Sequence, residues 1–222
     1  KAEMTLLTKF FGKLQDFMYV DGFVFASFNQ LATATGRMSC KGPNLQQMPK
    51  SITKIIIPRE NCVFCDADYS QIEYRTLCGM AHEQTLIDKF KDPDMDYHTQ
   101  MASLMYSTKY EDVTKQMRSD SKSLNFGIPY GMGNNSLAIL LFGVGNAVNR
   151  ELAAEKKELY FKNQPNVRQF FADVKEQAQI YGITKTLWNR VRAYTFVRPD
   201  GTVNDAARAS ALRQAGNACI QG

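Results

Sequence analysis

Two aspartates spaced by one residue are the first candidates for chemistry in this sequence. Asp66 and Asp68 follow the apolar run Cys62-Val63-Phe64-Cys65, which is typical of a buried strand. Because side chains alternate along a strand, both carboxylates would lie on one face. There they could bind Mg²⁺, a hard cation that takes oxygen ligands and leaves positions for substrate phosphates. A helix-capping aspartate beside a solvated one also explains the pair, so both interpretations stay open at this point.

Four residues spaced by four form the second candidate: Arg118, Lys122, Phe126 and Tyr130. Since a step of four advances only about 40° around a helix, the first three would lie in one stripe. Cations can bind phosphates, and an aromatic face can stack on a base. An ordinary amphipathic helix, with its cations in water and its aromatics in a core, accounts for the same spacing. Pro129 predicts that the helix kinks or ends near residues 125–128, just before Tyr130.

A polar segment broken by glycine and proline, residues 35–47, is the third candidate. It carries Arg37, Asn44 and Gln46, whose side chains are of the kinds that contact nucleic-acid phosphates and minor-groove acceptors. Many surface loops share this composition. The segment therefore adds to a nucleic-acid hypothesis without establishing one.

Taken together, these segments resemble the sequence motifs of family A DNA polymerases, the DNA polymerase I type. The resemblance is carried by Thr35-Gly36-Arg37-Met38-Ser39 with Pro43-Asn44-Leu45-Gln46, by Asp68-Tyr69-Ser70-Gln71-Ile72-Glu73 (motif A), and by Arg118-x-x-x-Lys122-x-x-x-Phe126-Gly127-x-x-Tyr130-Gly131 (motif B). Tyr97-His98-Thr99 occupies the place of the family's fingers histidine, and Arg213-x-x-x-Asn217-x-x-x-Gln221-Gly222 resembles the helix before motif C. These segments cover essentially the whole chain, and motif B is worded like that of phage members.

The resemblance implies a reaction and its metal ions. The reaction is template-directed DNA synthesis, in which a primer 3′-hydroxyl attacks the α-phosphate of a deoxynucleoside triphosphate with two Mg²⁺ ions as cofactors. Asp68 would bind both ions, and the backbone carbonyl of Tyr69 would help to hold one of them. Asp68, Arg118 and Lys122 are the expected catalytic residues, while Asp66 is expected to be a satisfied or solvated aspartate.

The resemblance also implies which residues bind the substrates, deoxynucleoside triphosphates and primer–template DNA. His98, Arg118 and Lys122 would grip the triphosphate and stabilise the charge that develops on it. Glu73 would exclude nucleotides that carry a ribose 2′-hydroxyl. The expected nucleotide-binding residues are Gln71, Glu73, His98, Arg118, Lys122, Phe126, which would pack on the nucleotide, and Tyr130, near the templating base. The expected DNA-binding residues are Arg37, Asn44, Gln46, Arg213, Asn217 and Gln221.

The elements that must position these residues are predicted from periodicity. The predicted fold class is α+β, an incomplete polymerase palm sheet with a mainly helical fingers insertion. The palm is expected at 1–82, the fingers at 83–190, and a return to the palm at 191–222. Predicted strands cover 23–28, 55–57 and 62–69, with a hairpin of 184–187 and 191–196. Predicted helices cover 5–17, 81–91, 98–106, 113–128, 150–162 with Asn149 as its N-cap, 165–181 and 206–220, and a loop is predicted at 131–135.

Composition bounds the class of protein. With 222 residues, of which 44% are hydrophobic and 22% charged, the chain can fold around a sizeable core. A net charge of +5 is compatible with a polyanionic partner but is common among ordinary enzymes. Cys62 and Cys65 fit a buried strand better than a zinc site, since no second pair follows, and the cysteine usage fits a reducing compartment. No apolar stretch is long enough to predict a membrane span. We therefore expect no membrane partner and a cytoplasmic location in a bacterial or phage-infected cell.

Two alternatives stay open. The family's motif C, whose aspartate is the second carboxylate of the metal site, would follow the final Gln221-Gly222. We therefore expect a piece of a longer or split polymerase, inactive alone and completed by a second chain or segment that carries motif C. The first alternative is a non-catalytic half that only binds primer–template DNA. The second is a single-subunit RNA polymerase, which the Gln71-Ile72-Glu73 wording argues against.

Overall fold

The computed structural model describes residues 12–222, apart from the side chains of Lys50 and Phe126. Within these residues the protein is mainly helical, with ten α-helices and two small antiparallel sheets. The chain forms two compact units, one up to Ser70 together with Gly222 and one from Gln71 to Gln221. The expected mixture of helix and strand is present, and helix dominates it.

The first unit holds two short helices, one small sheet and little core. Its elements are helix α1 (Gly12–Asp16), strands β1 (Ser27–Asn29) and β2 (Ser39–Lys41), and helix α2 (Lys50–Thr53). Phe28 pairs with Cys40 across the antiparallel sheet. Cys40 and Ile52 are buried at 6% exposure each, so the sheet and α2 each contribute one residue to a small core.

The first unit contains less strand than the sequence predicts. Of the helix predicted at 5–17, residues 5–11 lie outside the described part, and α1 forms within the rest. Of the strand predicted at 23–28, only the start of β1 and one isolated bridge at Val24 are formed. The segments 55–57 and 62–69 form no strand, and Val63 is 89% exposed. A strand needs a neighbouring backbone to satisfy its polar groups, and no described residue pairs with these two segments. The prediction of buried strands there is wrong, and Cys62 and Cys65 are exposed.

The second unit packs eight helices and one hairpin around the main core. Its elements are α3 (Ile72–Met80), α4 (Gln84–Lys89), α5 (Tyr97–Tyr106), α6 (Lys115–Gly127), α7 (Asn134–Phe142), α8 (Ala147–Lys162), α9 (Pro165–Tyr181), β3 (Ile183–Lys185), β4 (Val191–Ala193) and α10 (Asp205–Gln221). The predicted hairpin is confirmed, with Thr184 opposite Arg192. Leu77, Leu124 and Leu137 belong to a core cluster that also includes side chains from α4, α5, α8 and α9.

Local sequence signals set several helix boundaries in the second unit. Thr114 accepts the backbone N–H of Met117 at 3.2 Å and caps the start of α6. Helix α6 ends at Gly127, as Pro129 predicts. Gly182 follows α9 with φ of 65°, the left-handed conformation that commonly ends a helix. The C-terminal ends of α6 and α9 therefore agree with the sequence prediction, whereas the cap at Thr114 was not predicted.

The starts of α7 and α8 differ from the prediction. The N-cap of α8 is Asn146, whose Oδ1 accepts the backbone N–H of Asn149 at 2.8 Å. The assignment of Asn149 as the cap is wrong because two asparagines three residues apart are equal capping signals in sequence, and the chain uses the first. Residues 134 and 135, predicted as loop, form the first turn of α7 after Gly133.

No single helix among the described residues is both long and apolar enough to cross a membrane. Helices α7 and α8 meet that test only as a pair, with a bend of 99° between them.

Candidate functional site

The acidic segment of the first unit is open to solvent. Asp66, Asp68 and Tyr69 are exposed, Tyr69 at 77%, and the segment has no regular secondary structure. The strand that was expected to hold both carboxylates on one face is not formed. Carboxylate and carbonyl oxygens are ligands that Mg²⁺ takes, but the described residues contain no group of three or more His, Cys, Asp or Glu that could hold a metal ion. These donors therefore suit Mg²⁺ in kind and supply only part of a site.

A left-handed turn at Gln71 leads into helix α3. Gln71 has φ of 55° and ψ of 33°, a conformation that is uncommon for residues other than glycine. Its carbonyl accepts the N–H groups of Tyr74 and Arg75, both at 3.0 Å. Its side-chain Oε1 is buried without a hydrogen-bond partner among the described residues. Such backbone conformations cluster at functional sites. The left-handed conformation of Gln71 was not predicted from the sequence.

A chain of hydrogen bonds joins three of the predicted site residues. Gln221 Nε2 donates to Glu73 Oε1 over 3.1 Å, and Asn217 Nδ2 donates to Gln221 Oε1 over 3.2 Å. Asn217 and Gln221 lie one turn apart on α10, whereas Glu73 lies in the first turn of α3. Arg213, one turn before Asn217, is exposed. The structure thus brings the predicted sugar-selecting residue together with two predicted DNA contacts.

Asp96 forms hydrogen bonds both to the start of helix α5 and to Arg118 on helix α6. Its carboxylate accepts hydrogen bonds from Arg118 Nε at 2.5 Å, from Thr99 Oγ1 at 2.5 Å and from the backbone N–H of His98 at 3.2 Å. Burial by itself would raise the pKa of Asp96, but the bonds from Arg118 and Thr99 outweigh it and lower the pKa from its ordinary value of 3.8. The sequence analysis missed Asp96, although a capping aspartate two residues before His98 was a usable signal.

His98 lies where helix α5 packs against helix α6. It is 6% exposed, and its Nδ1 is 2.9 Å from Asn125 Nδ2. Burial is the main cause that lowers the pKa of His98, Asp96 opposes the shift, and Arg118 and Lys122 add to it. The ring is therefore neutral at neutral pH. The sequence analysis missed Asn125, which lies on α6 just before Phe126.

The predicted stripe of α6 has different surroundings at its two ends. Arg118 is ion-paired with 49% of its side chain exposed, and Lys122 is exposed. Tyr130, which follows the end of α6, is half-buried and packs edge-on against Phe171 with ring centroids 5.7 Å apart. The side chain of Phe126 lies outside the described residues. The cations are thus accessible to a ligand, while Tyr130 packs against the core cluster.

A buried polar cluster ties helix α3 to helix α5. It consists of Tyr74, Tyr97, Tyr160 and Gln164. The Tyr74 hydroxyl lies 3.2 Å from the Tyr160 hydroxyl, and the Tyr97 hydroxyl lies within hydrogen-bonding distance of the Tyr74 hydroxyl and, at 3.1 Å, of Gln164 Oε1. Burial raises the pKa of Tyr160 to about 12, so its hydroxyl keeps its proton. Because Tyr74 and Tyr97 directly adjoin Glu73 and His98 in the chain, the cluster fixes the two helices that carry them.

The polar loop of the first unit carries the remaining predicted DNA contacts. Arg37, Asn44 and Gln46 are all exposed. Asn44 Oδ1 accepts the backbone N–H of Gln46 at 3.2 Å, and Gln46 Nε2 donates to the Met38 carbonyl at 3.2 Å. Asn44 and Gln46 therefore shape the loop itself while remaining accessible.

Comparisons with known proteins match nearly the whole chain. The family model described as DNA polymerase family A matches residues 2–222. The DNA polymerase I of Caldicellulosiruptor bescii is 36% identical over an alignment of 217 residues, and the match covers 95% of this chain and 24% of that protein. The DNA polymerase I of Geobacillus stearothermophilus is 38% identical over an alignment of 211 residues, and the match covers 91% of this chain and 23% of that protein. The chain spans about a quarter of the length of these relatives.

A solved structure has a similar fold. It is the POL domain of Pol1 from M. smegmatis, in complex with DNA primer-template and dNTP. It matches this chain with a TM-score of 0.81 and 31% sequence identity, and the match covers 100% of this chain and 39% of that one.

Proposed function

Because this chain belongs to DNA polymerase family A, we propose that it carries part of the machinery for template-directed DNA synthesis. In this reaction a primer 3′-hydroxyl attacks the α-phosphate of a deoxynucleoside triphosphate and releases pyrophosphate. The observation that carries the proposal is the set of His98, Arg118 and Lys122, which two packed helices hold next to an anchoring aspartate. Since the chain spans about a quarter of its relatives' length, the activity of a whole enzyme is part of the proposal.

The triphosphate is proposed to bind at the exposed end of the stripe on helix α6. Asp96 accepts a hydrogen bond from Nε of Arg118. The two terminal nitrogens of the planar guanidinium can therefore donate hydrogen bonds to phosphate oxygens. Lys122, exposed one turn later, adds a compact positive charge. Both cations would stabilise the negative charge that grows on the phosphates during transfer, and they are placed before the substrate arrives.

Asp68 and the carbonyl of Tyr69 are proposed to hold Mg²⁺. Two Mg²⁺ ions, when bound, would activate the 3′-hydroxyl and neutralise the leaving pyrophosphate. Asp68 is exposed, so its oxygens are accessible to such an ion. A single aspartate and one carbonyl are too few ligands for the pair of ions, and we propose that the family's motif C supplies the other carboxylate. Asp66 is proposed to remain solvated.

The remaining residues are proposed to select the sugar and bind DNA. Glu73 would block a ribose 2′-hydroxyl, held in place by Gln221. Gln71, Phe126 and Tyr130 would complete the nucleotide site. The proposed primer–template contacts are Arg37, Asn44, Gln46, Arg213, Asn217 and Gln221. In this scheme residues 1–82 and 191–222 are palm, and residues 83–190 are fingers.

One alternative keeps specific support. The described residues contain no cluster of three or more potential metal ligands, which favours a chain that binds primer–template DNA without catalysing synthesis when it is alone. The relatives reported above are DNA polymerases, so an RNA polymerase is not retained. The comparisons give no support to the expected second chain.

Primer extension separates synthesis from binding alone. We would assay residues 1–222, and a chimera in which the matched part of this chain replaces the corresponding segment of the Geobacillus stearothermophilus enzyme. The chimera should extend a primer, and Asp68→Ala should abolish extension while leaving primer–template binding, measured by fluorescence anisotropy, nearly unchanged. Asp66→Ala is the matched control, because it removes an equally exposed carboxylate two residues away.

The outcomes are distinct. Loss of extension in Asp66→Ala with activity in Asp68→Ala would show that the metal assignment is wrong. A soluble chimera that binds primer–template DNA but never extends it would support the binding-only alternative. Robust extension by residues 1–222 alone would contradict the need for a motif C carboxylate.

A further inference from the structure

The contact between His98 and Asn125 has a chemical consequence beyond packing. His98 Nδ1 and Asn125 Nδ2 are 2.9 Å apart, and both residues are buried, at 6% and 2% exposure. An amide nitrogen carries two protons and no acceptor site, whereas a neutral imidazole has one donor nitrogen and one acceptor nitrogen. With its amide nitrogen facing the ring, Asn125 donates and Nδ1 accepts.

We propose that Asn125 is a positioning residue that holds His98 in the tautomer with its single proton on Nε2. With Nδ1 occupied as an acceptor, the ring can donate only from Nε2. A partner on one ring nitrogen commonly sets the role of the other in this way. The backbone N–H of His98 is bound to Asp96, so the main chain at the ring's base is also held.

The charges around His98 agree with a neutral ring. Among the described residues, Asp96 on the turn before α5 is the anion that acts on the ring, and Arg118 and Lys122 on α6 are the cations. Tyr97 lies edge-on to the imidazole with ring centroids 6.2 Å apart, and burial keeps its pKa well above the ordinary value of 10.0. With burial added to two cations against one anion, the pKa of His98 is lowered from 6.5.

The consequence for nucleotide binding rests on the proposed function. An Nε2–H donor can bind a phosphate oxygen, which carries no proton at neutral pH, whereas a bare Nε2 would repel it. Because the tautomer is set before the substrate arrives, no proton has to move on the His98 ring during binding. Asn125 would thus act on the triphosphate only through His98.

The tautomer can be measured directly by nuclear magnetic resonance on residues 1–222 labelled with ¹⁵N-histidine. The chain has two histidines, and His82→Asn would assign the two sets of ring signals. Long-range ¹H–¹⁵N correlations distinguish a protonated ring nitrogen from a bare one. We expect His98 to show a bare Nδ1 and a protonated Nε2 at pH 7.5. A protonated Nδ1, or an even mixture of the two tautomers, would overturn the proposal.

Variants of Asn125 test the cause of the tautomer. Asn125→Asp places an acceptor opposite Nδ1, so the proton should move to Nδ1 and the pKa of His98 should rise by roughly one unit or more. Asn125→Leu should relax the ring toward a mixture. Ser121→Ala is the matched control, because Ser121 lies one turn earlier on α6 and is equally buried, with a hydroxyl that has no partner among the described residues. It should leave the His98 signals unchanged.

Each remaining result is decisive. A wild-type Nε2–H tautomer that persists in Asn125→Asp would show that another group selects it and would overturn the role of Asn125. If the Asn125 variants do not fold, the wild-type tautomer decides alone. Adding dTTP tests the proposed function separately: unchanged His98 signals, with the Nε2–H tautomer present, would remove His98 from the nucleotide site and leave the inference standing.

Discussion

Gln221 Nε2 donates a hydrogen bond to Glu73 Oε1 over 3.1 Å and so joins two residues 148 positions apart. The bond connects the last turn of α10 to the first turn of α3. Asn217 supports Gln221 from one turn earlier on α10. The carboxylate of Glu73 is therefore held by the side-chain amide of Gln221. Its position depends on how α3 and α10 pack against each other.

Glu73→Ala should relax the choice of sugar. Truncation opens room for a 2′-hydroxyl, so the ratio of kcat/KM for ribonucleotide over deoxyribonucleotide should rise by about tenfold or more, the scale of a lost steric contact in a binding pocket. The measurement is single-nucleotide incorporation by the chimera with matched ribo- and deoxyribonucleoside triphosphates.

Glu73→Gln is the control for that change. Glutamine keeps the volume and offers an oxygen to the Gln221 amide, so most of the sugar selectivity should remain. An unchanged ratio in Glu73→Ala would place sugar selection elsewhere in the enzyme.

Arg118→Ala and Lys122→Ala should each impair use of the nucleotide. A lost charge-assisted hydrogen bond costs about 1.5–3 kcal/mol, which corresponds to roughly a ten- to a hundredfold loss in kcat/KM. Steady-state kinetics of the chimera with varied nucleotide would measure it. Lys162→Ala removes an exposed cation from α8 and should have no effect. If both stripe variants matched Lys162→Ala, the stripe would be an ordinary solvated helix face.

Because of Asp96, the free energy of unfolding should decrease as the pH falls into the acid range. Its folded-state pKa is below the ordinary value of 3.8, so its contribution is present above that value and is lost as the pH falls through the folded pKa. Asp96→Asn keeps a good N-cap residue and removes only the charge. The difference in unfolding free energy between wild type and Asp96→Asn should be constant above about pH 5 and should shrink below about pH 4.

Urea denaturation over a pH series would measure that difference. A gap that stays the same between pH 3 and pH 7 would mean that the carboxylate has an ordinary pKa and that the Arg118 contact is not formed in solution.

Gly216 is predicted to be the position where helix α10 tolerates no side chain. A Cβ there would lie 2.2 Å from Phe171 Cε1 and 2.4 Å from Phe171 Cδ1. Phe171 is 5% exposed, so its ring has no open space to move into. Gly216→Ala should lower the free energy of unfolding by about 1–3 kcal/mol, the usual cost of overpacking.

Gly79→Ala is the matched control for Gly216→Ala. Gly79 also lies inside a helix, α3, but no heavy atom of the described residues outside its helix lies within 4 Å of the added Cβ. Its replacement should stabilise the chain by up to about 1 kcal/mol through helix propensity. Equal effects of the two substitutions would show that α9 and α10 are less closely packed than described here.

Local features of this protein were determined by the sequence itself. The motif segments predicted the family, which the comparisons confirm. Pro129 and Gly182 predicted where two helices end, because backbone geometry at a helix end depends only on a few neighbouring residues.

Only the tertiary structure decided which distant residues meet. His98, Glu73 and Gln221 were selected from the sequence, but the contacts that they make were not, because Asn125 is 27 residues from His98 and Gln221 is 148 residues from Glu73. The segment 62–69 shows the same limit, since its strand-like composition predicted a ladder that no described neighbour provides. Hydrogen bonds between distant segments depend on how helices and strands pack. The residue types along one segment do not determine that packing.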